Sequence, residues 1–282
     1  MRWLCVALLL LPAPVGAGLL DLLPLARIER KMIYPLSPQE VDPGALRLTN
    51  TAVHSLDRGG VRLIVWTMRA DDPTGPTVLY FHGNAGNLAT RSLRFAALQD
   101  QGINVIAMSY RGSSGSGGQP SEAAILSDAQ AVFQQVDRFI DGLRPQDLVL
   151  YGESLGAAVA VGLMASLDSA ERPAGAVLEA PFTSVPDMAR AMAEVPDNLI
   201  ARIQDRWNSL GRANTLTTPL LVVHGTADEV TPFAMGRTLF EQAATRDKTF
   251  VAAEGASHAT TWRPDTMPQL WAFIHTHGAP QR

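Results

Sequence analysis

The chain has 282 residues, a formal net charge of −4, and 46% hydrophobic residues. That length suits one large α/β domain or two small ones, with room for a sizeable core. The near-balanced charge, with no basic block, excludes electrostatic recruitment of nucleic acid, and no fixed-period repeat or low-complexity tract is visible.

At the amino terminus, Met1-Arg2 precedes an apolar run from Trp3 to Leu11, then Pro12, Pro14 and small residues up to Ala17. The pattern resembles a secretory signal peptide over residues 1–17, with cleavage after Ala17. The competing reading is an uncleaved anchor reaching Leu20, although Pro12, Pro14 and Asp21 interrupt any clean span of about 20 apolar residues. The expectation is therefore export, periplasmic or secreted, or membrane association through this segment. The one cysteine, Cys5, lies inside it, so the mature domain is expected to carry no disulfide.

Arg27 to Pro35 leads into the domain as a charged-to-aromatic stretch. Ala45–Val53 and Val61–Met68 read as strands around the turn Asp57-Arg58-Gly59-Gly60. Thr77–Phe81 is a short buried strand that runs into His82-Gly83-Asn84-Ala85-Gly86-Asn87. Strands and helices then alternate: helix 88–100, strand 103–109, helix 121–141, strand 148–151, a helix to about 167, and strand 176–179. An irregular region covers 182–216. Strand 220–223, helix 233–244, strand 249–252 and helix 264–275 close the chain. This alternation predicts a mainly parallel sheet with helices on both faces and active residues at the carboxyl ends of its strands.

The most informative stretch is Leu148 to Val161, where an apolar strand ends in Gly152-Glu153-Ser154-Leu155-Gly156 and an alanine-rich helix follows. That is G-x-S-x-G in a strand–turn–helix setting, with Ser154 as candidate nucleophile. The alternative, an N-cap serine, does not explain the flanking glycines. Two later strand ends supply partners. Asp228 stands four residues past His224 at the end of one strand, and His258 lies in the loop after the next. A serine hydroxyl needs a base to become a nucleophile, and the order Ser154, Asp228, His258 suits a relay in which His258 is the base and Asp228 holds it. Glu229 and the strand-end Glu179 are the rival acids. His54, His82, His224, His275 and His277 lack the placement of His258. His224 and His82 are expected to be structural. The loop after Phe81 belongs where an oxyanion is stabilised, and the backbone N–H groups of Asn84 and Leu155 are the candidate donors. No cluster has metal-ligand spacing and no phosphate loop is present, so no cofactor or metal is expected.

Phe81 to Asn87, Tyr110-Arg111-Gly112, the 152–156 elbow, Ala180-Pro181-Phe182-Thr183-Ser184 and His224-Gly225 with Asp228 together resemble a serine-hydrolase group of the α/β-hydrolase superfamily. That group includes membrane-anchored lysophospholipid lipases and protein depalmitoylases. The resemblance covers residues 33–275 and implies the α/β-hydrolase fold and hydrolysis of an ester or thioester. It departs at Ser113, Ser114 and Gly115, where relatives usually show an aromatic, a glycine and a basic residue. Residues 182–216 read as a small cap. Their apolar positions Met188, Met192, Val195, Leu199, Ile200, Ile203 and Trp207 either line a lid for an acyl chain or simply pack the insert down. The expected substrate is a small or lipid-like acyl compound, cleaved through an acyl-serine. The alternatives are a proline-iminopeptidase-type serine peptidase, which would need an anionic patch for a free amino terminus, and a non-catalytic binding protein on a hydrolase scaffold. A dehalogenase or epoxide hydrolase would want aspartate at position 154.

Overall fold

Short, continuous apolar segments make the sheet. Arg62–Met68, Thr77–Phe81, Asn104–Met108, Leu148–Glu153, Gly175–Glu179 and Leu220–Gly225 are buried along nearly their whole length, as strands covered on both faces must be. A computed structural model describes residues 25–278 apart from 47, 73 and 194. The leader over 1–17 and Cys5 lie outside the described residues.

Eight strands form one sheet in the order β1-β2-β4-β3-β5-β6-β7-β8. They are β1 (Thr51–Asp57), β2 (Arg62–Met68), β3 (Thr77–Phe81), β4 (Asn104–Met108), β5 (Leu148–Glu153), β6 (Gly175–Glu179), β7 (Leu220–Gly225) and β8 (Lys248–Ala253). β1 and β2 pair antiparallel, β2 meets β4 antiparallel, and every pairing from β4 to β8 is parallel. The helices are α1 (Leu25–Ile33), α2 (Ser92–Asp100), α3 (Glu122–Gln134), α4 (Leu155–Ser166), α5 (Val185–Met192), α6 (Asp197–Ile200), α7 (Phe233–Gln242) and α8 (Met267–His277).

Alternate strand residues feed two cores. Leu79 and Phe81 of β3 join Ile125 and Val132 of α3, most of α4, and Leu239 of α7 on one face. Val78 and Tyr80 join Phe95 and Leu98 of α2 with Leu270 and Ile274 of α8 on the other. The α4 helix is apolar all round and buried from Leu155 to Met164, which a helix packed between sheet and neighbouring helices requires.

Three expectations shift. The first strand starts at Thr51, not Ala45: Asp42 accepts the Gly44 amide at 3.0 Å and Pro43–Leu46 coil into a 3₁₀ turn instead. Pairing then runs outward from the 57–60 turn, Asp57 with Arg62 through Thr51 with Met68. The long helix expected to 141 stops at Gln134, where a 3₁₀ turn over Val136–Arg138 redirects the chain toward β5. The stretch 27–35 is partly helical. α1 is clasped to the 182–216 segment because Glu29 accepts the amides of Gln204 and Asp205 at 3.0 and 2.8 Å. Among the described residues, no helix is long and apolar enough to cross a membrane.

Candidate active site

Ser154 sits between β5 and α4 with φ +53° and ψ −110°, a conformation that a residue with a Cβ adopts only when its surroundings hold it there. They do. Its amide donates to the Glu179 carbonyl at 2.8 Å, and its carbonyl accepts from Ala157 at 2.9 Å. The two elbow glycines are needed because the backbones crowd together. A Cβ on Gly156 would lie 1.9 Å from the Phe81 carbonyl oxygen, and one on Gly152 would lie 2.4 Å from that of Gly156. Ser154 itself is half-buried.

The loop after β7 turns back through Asp228, whose Oδ1 accepts the amides of Val230 and Thr231, both at 2.8 Å. Its Oδ2 stands 2.8 Å from His258 Nδ1. Burial would raise this carboxyl. Hydrogen bonds from His224 and His258, the His258 charge and the Thr231 amide outweigh it, holding Asp228 well below the usual carboxylate range. An ionised carboxylate can only accept, so His258 Nδ1 donates its N–H to Asp228, and in the neutral ring the lone pair is then on Nε2. Loop–loop bonds set this geometry: Thr226 donates to the Ala253 carbonyl and Ala227 to that of Ala256, each at 3.0 Å.

β3 and β5 are neighbours in register, Phe81 beside Gly152, so the loop after β3 emerges next to the elbow. Leu155 opens α4, where an amide has no partner within the helix. Asn84 lies in the 82–87 loop with its side chain turned away, Nδ2 donating to the Ile33 carbonyl at 3.0 Å. Among the described residues the Asn84 main-chain amide donates to no protein group. Gly86 is fixed by an isolated bridge to the segment after α1: its amide reaches the Pro35 carbonyl at 3.3 Å and its carbonyl takes the Ser37 amide at 2.8 Å.

The other histidines have structural partners. His82 Nδ1 bonds the Gly83 carbonyl at 2.7 Å and its ring packs on Tyr110 at 4.1 Å. Burial, helped by the nearby Arg91 charge, lowers its pKa to about 3, so it stays neutral. His224 Nε2 is 3.0 Å from the Thr231 carbonyl and 3.4 Å from Asp228 Oδ2. His54 bonds Thr67, His275 bonds the Gln101 carbonyl, and the His277 ring lies on Phe273. Of the rival acids, Glu229 is exposed. Glu179 faces Arg94, Tyr151, Thr261 and Trp262.

Sequence reading missed a layer of buried charge under these loops. Glu153 and Glu179 close adjacent strands as register partners. At the ~5 Å spacing of neighbouring strands, two like charges at an effective dielectric near 20 repel by about 3 kcal/mol. Arg91, the residue that caps α2, and Arg94 on its first turn neutralise them. Arg91 forks onto Glu153 at 3.1 and 2.9 Å, and Arg94 onto Glu179 at 2.5 and 2.9 Å. Arg91 also donates to the Ala85 carbonyl at 2.7 Å, tying the 82–87 loop to the elbow. The signal was present as two glutamates ending buried strands and two arginines at i, i+3. Among the described residues, no group of histidine, cysteine, aspartate or glutamate side chains could hold a metal ion.

A half-buried serine on a strained elbow, with a histidine–aspartate pair at later strand ends of a doubly covered sheet, defines an α/β-hydrolase. The family model described as serine aminopeptidase, S33, matches residues 72–212 and 202–265, and the chain belongs to that family. The uncharacterized protein Rv2307c of Mycobacterium tuberculosis is 34% identical over 201 residues, 71% of this chain and 69% of the relative. Lysophosphatidylserine lipase ABHD12 of Danio rerio is 30% identical over 244 residues, 76% of this chain and 62% of the relative. Among solved structures, an alpha-beta hydrolase from Vibrio vulnificus superposes with a TM-score of 0.73 at 20% identity, covering 91% of this chain and 94% of that one.

Proposed function

We propose that the protein is a serine hydrolase that cleaves carboxylic esters or thioesters of small or lipid-like acyl groups. The observation that carries this is the 2.8 Å contact between His258 Nδ1 and an ionised Asp228, at the same sheet edge as a strained Ser154. In this reading Ser154 Oγ attacks the acyl carbon while its proton passes to His258 Nε2. The amides of Asn84 and Leu155 receive the developing oxyanion. Collapse expels the alcohol or thiol, which takes the proton from His258, and leaves an acyl-Ser154. Water then attacks that ester, gives a proton to His258, and the acid departs as Ser154 regains its hydrogen.

The acyl preference rests on the 182–216 segment. Its apolar positions divide: Trp207 and Ile200 are buried, Met188 packs on the core, and Met192 remains 44% exposed. The buried ones hold the segment down, so the exposed side of α5 is the part free to meet an acyl chain. The zebrafish relative, a lysophosphatidylserine lipase, supports the same class. The aminopeptidase in the family description is the second reading. A free amino terminus needs an unpaired carboxylate near the nucleophile, and the two nearest strand-end carboxylates, Glu153 and Glu179, are already taken by arginines. For residues 1–17 we propose export with cleavage after Ala17. Fractionation with amino-terminal sequencing should find a chain starting at Gly18, and an intact membrane-bound chain would favour the anchor.

The test is fluorophosphonate labelling with mass mapping, followed by p-nitrophenyl esters of increasing chain length beside prolyl naphthylamide. An adduct on Ser154 that is lost in His258→Ala, with ester turnover exceeding amide turnover, is expected. A folded protein that takes no label, or that cleaves only the amide, overturns the reading.

A further inference from the structure

The proposed mechanism uses one buried carboxylate, Asp228, and leaves another, Glu179, without a task. Glu179 is 1% exposed at the end of β6. Its main-chain carbonyl is the group that accepts the Ser154 amide. Its carboxylate accepts both terminal nitrogens of Arg94, the Tyr151 hydroxyl at 2.5 Å, Trp262 Nε1 at 3.1 Å, and the Thr261 hydroxyl. Neutralising a buried carboxylate needs only the arginine. The other donors have particular addresses: Tyr151 lies on the strand under the nucleophile, and Thr261 and Trp262 lie three and four residues beyond His258.

The near side of that histidine loop is tied to the loop after β7, Ala227 donating to the Ala256 carbonyl and Gly255 to the Thr226 hydroxyl. Ser257 closes a local turn on Thr260, and the far side of the loop meets the core at Thr261. β8 ends at Ala253 and α8 begins only at Met267. Glu254, Gly255, Ser257, Ala259 and Thr260 are all exposed, while Thr261 is 1% exposed and marks where the chain returns to the interior. Asp228 holds the imidazole at one point, and one hydrogen bond leaves the ring free to pivot. A second fixed point close behind His258 removes that freedom, and Glu179 supplies it from the residue that also holds the Ser154 amide. The Arg94 guanidinium, 4.9 Å from the centre of the Trp262 ring, braces the same side chain from its other face.

We infer that Glu179, seated by Arg94, is a positioning residue that sets the His258 loop against Ser154 through Thr261 and Trp262. The inference rests on the roles proposed above for Ser154 and His258. Attack geometry is sensitive to displacements of about 1 Å, which can cost up to about a hundredfold in rate. The effect of loosening this anchor therefore falls on the chemical step rather than on binding.

The experiment compares wild type, Thr261→Val and Glu179→Gln by the rate constant for fluorophosphonate labelling of Ser154, by kcat and KM on p-nitrophenyl butyrate, and by Tm. Thr261→Val removes one donor with little change of shape and loosens the loop. Its labelling rate and kcat should fall about tenfold, with KM within about twofold. Glu179→Gln, where folded, should fall further, and adding Thr261→Val to it should cost little more, because Thr261 acts through its contact with Glu179. Variants that lose Tm but label at the wild-type rate per folded molecule would reduce Glu179 to a stabilising residue and overturn the inference. If Glu179→Gln does not fold, Thr261→Val decides alone. A wild-type protein that takes no label sinks the Ser154 reading first and this one with it, whereas a labelled wild type with unaffected variants sinks this one only.

Discussion

Asp228 and Glu179 are both buried carboxylates at the carboxyl edge of one sheet, on neighbouring strand ends, and their surroundings give them opposite characters. Asp228 is met by two loop amides and by imidazoles, groups whose proton can move. Glu179 is met by a guanidinium that never releases its proton and by hydroxyl and indole donors from two further segments, β5 and residues 261–262. The first arrangement can respond to a charge that appears on His258 during a reaction. The second can only hold things still. Burial and position are thus insufficient to pick out a catalytic acid, and the donors that surround the carboxylate make the distinction.

The largest effect should come from breaking the responsive side. Asp228→Asn keeps the shape but offers an amide to His258 Nδ1, which favours the wrong imidazole tautomer, and kcat on p-nitrophenyl butyrate should fall about 10⁴-fold. Ser154→Ala should abolish turnover with the fold intact, since a small residue at the elbow costs little packing. If Glu179→Gln proves more damaging to kcat than Asp228→Asn, the roles assigned to the two carboxylates must be exchanged.

Much of this contrast was legible in the sequence, and the part that was not has a physical reason. The buried strands were readable because a strand covered on both faces is a continuous apolar run, and the elbow was readable because crowding admits only glycine at 152 and 156. Ser154 and Asp228 could be named as candidates because each sits just past such a run, and His258 because it lies in the loop after the next strand, in the chain order a relay requires. The first strand was misplaced because β1 is a sheet edge with only Leu56 buried, so its pattern is weak and the turn at 57–60 alone sets its register. The Arg91–Glu153 and Arg94–Glu179 pairs were missed because they span 62 and 85 residues of chain. Nothing local marks Arg91, just before α2, or Arg94 on its first turn as a partner of a buried carboxylate. The contacts of α1 and Tyr34 with residues 204–207 and with Asn84 were hidden for the same reason.

A smaller effect should sharpen the holding side. Arg91 joins Glu153 beside the nucleophile to the Ala85 carbonyl of the proposed oxyanion loop. Arg91→Met keeps the aliphatic stem and removes both bonds. Because the oxyanion donors would be displaced rather than deleted, the loss in kcat should be about tenfold, below the 10²–10³ typical of removing a donor outright. Pre-steady-state measurement should locate it in acylation. A wild-type acylation rate in this variant would show that the loop keeps its shape without the arginine.

The smallest effects should appear in the pH dependence of stability, where two groups of the holding side act in different windows. Burial alone would raise the Glu153 carboxyl, but the charges of Arg91 and Arg94 bring it down to about 2. Between its unfolded value near 4.3 and about 2, the unfolded chain binds the proton and the folded chain does not. Stability from this group is therefore complete above that upper limit and is lost as the pH falls through the window. His82 is a base kept neutral by burial, with a folded value of about 3. From an unfolded value near 6.5 down to about 3, the unfolded state again takes up the proton first, so His82 also costs stability on acidification, but starting at higher pH. Thermal melts from pH 7 to 2.5 should thus show a decline that begins near pH 6.5 and steepens below pH 4.5. Glu153→Gln should lower Tm at pH 7, since Arg91 is left buried beside a neutral partner, yet flatten only the lower part of the curve. His82→Asn should flatten the upper part. If Glu153→Gln melts parallel to wild type below pH 4.5, the Arg91–Glu153 pair does not hold its proton off in the folded state, and the assignment of that pair to a fixed anchor fails.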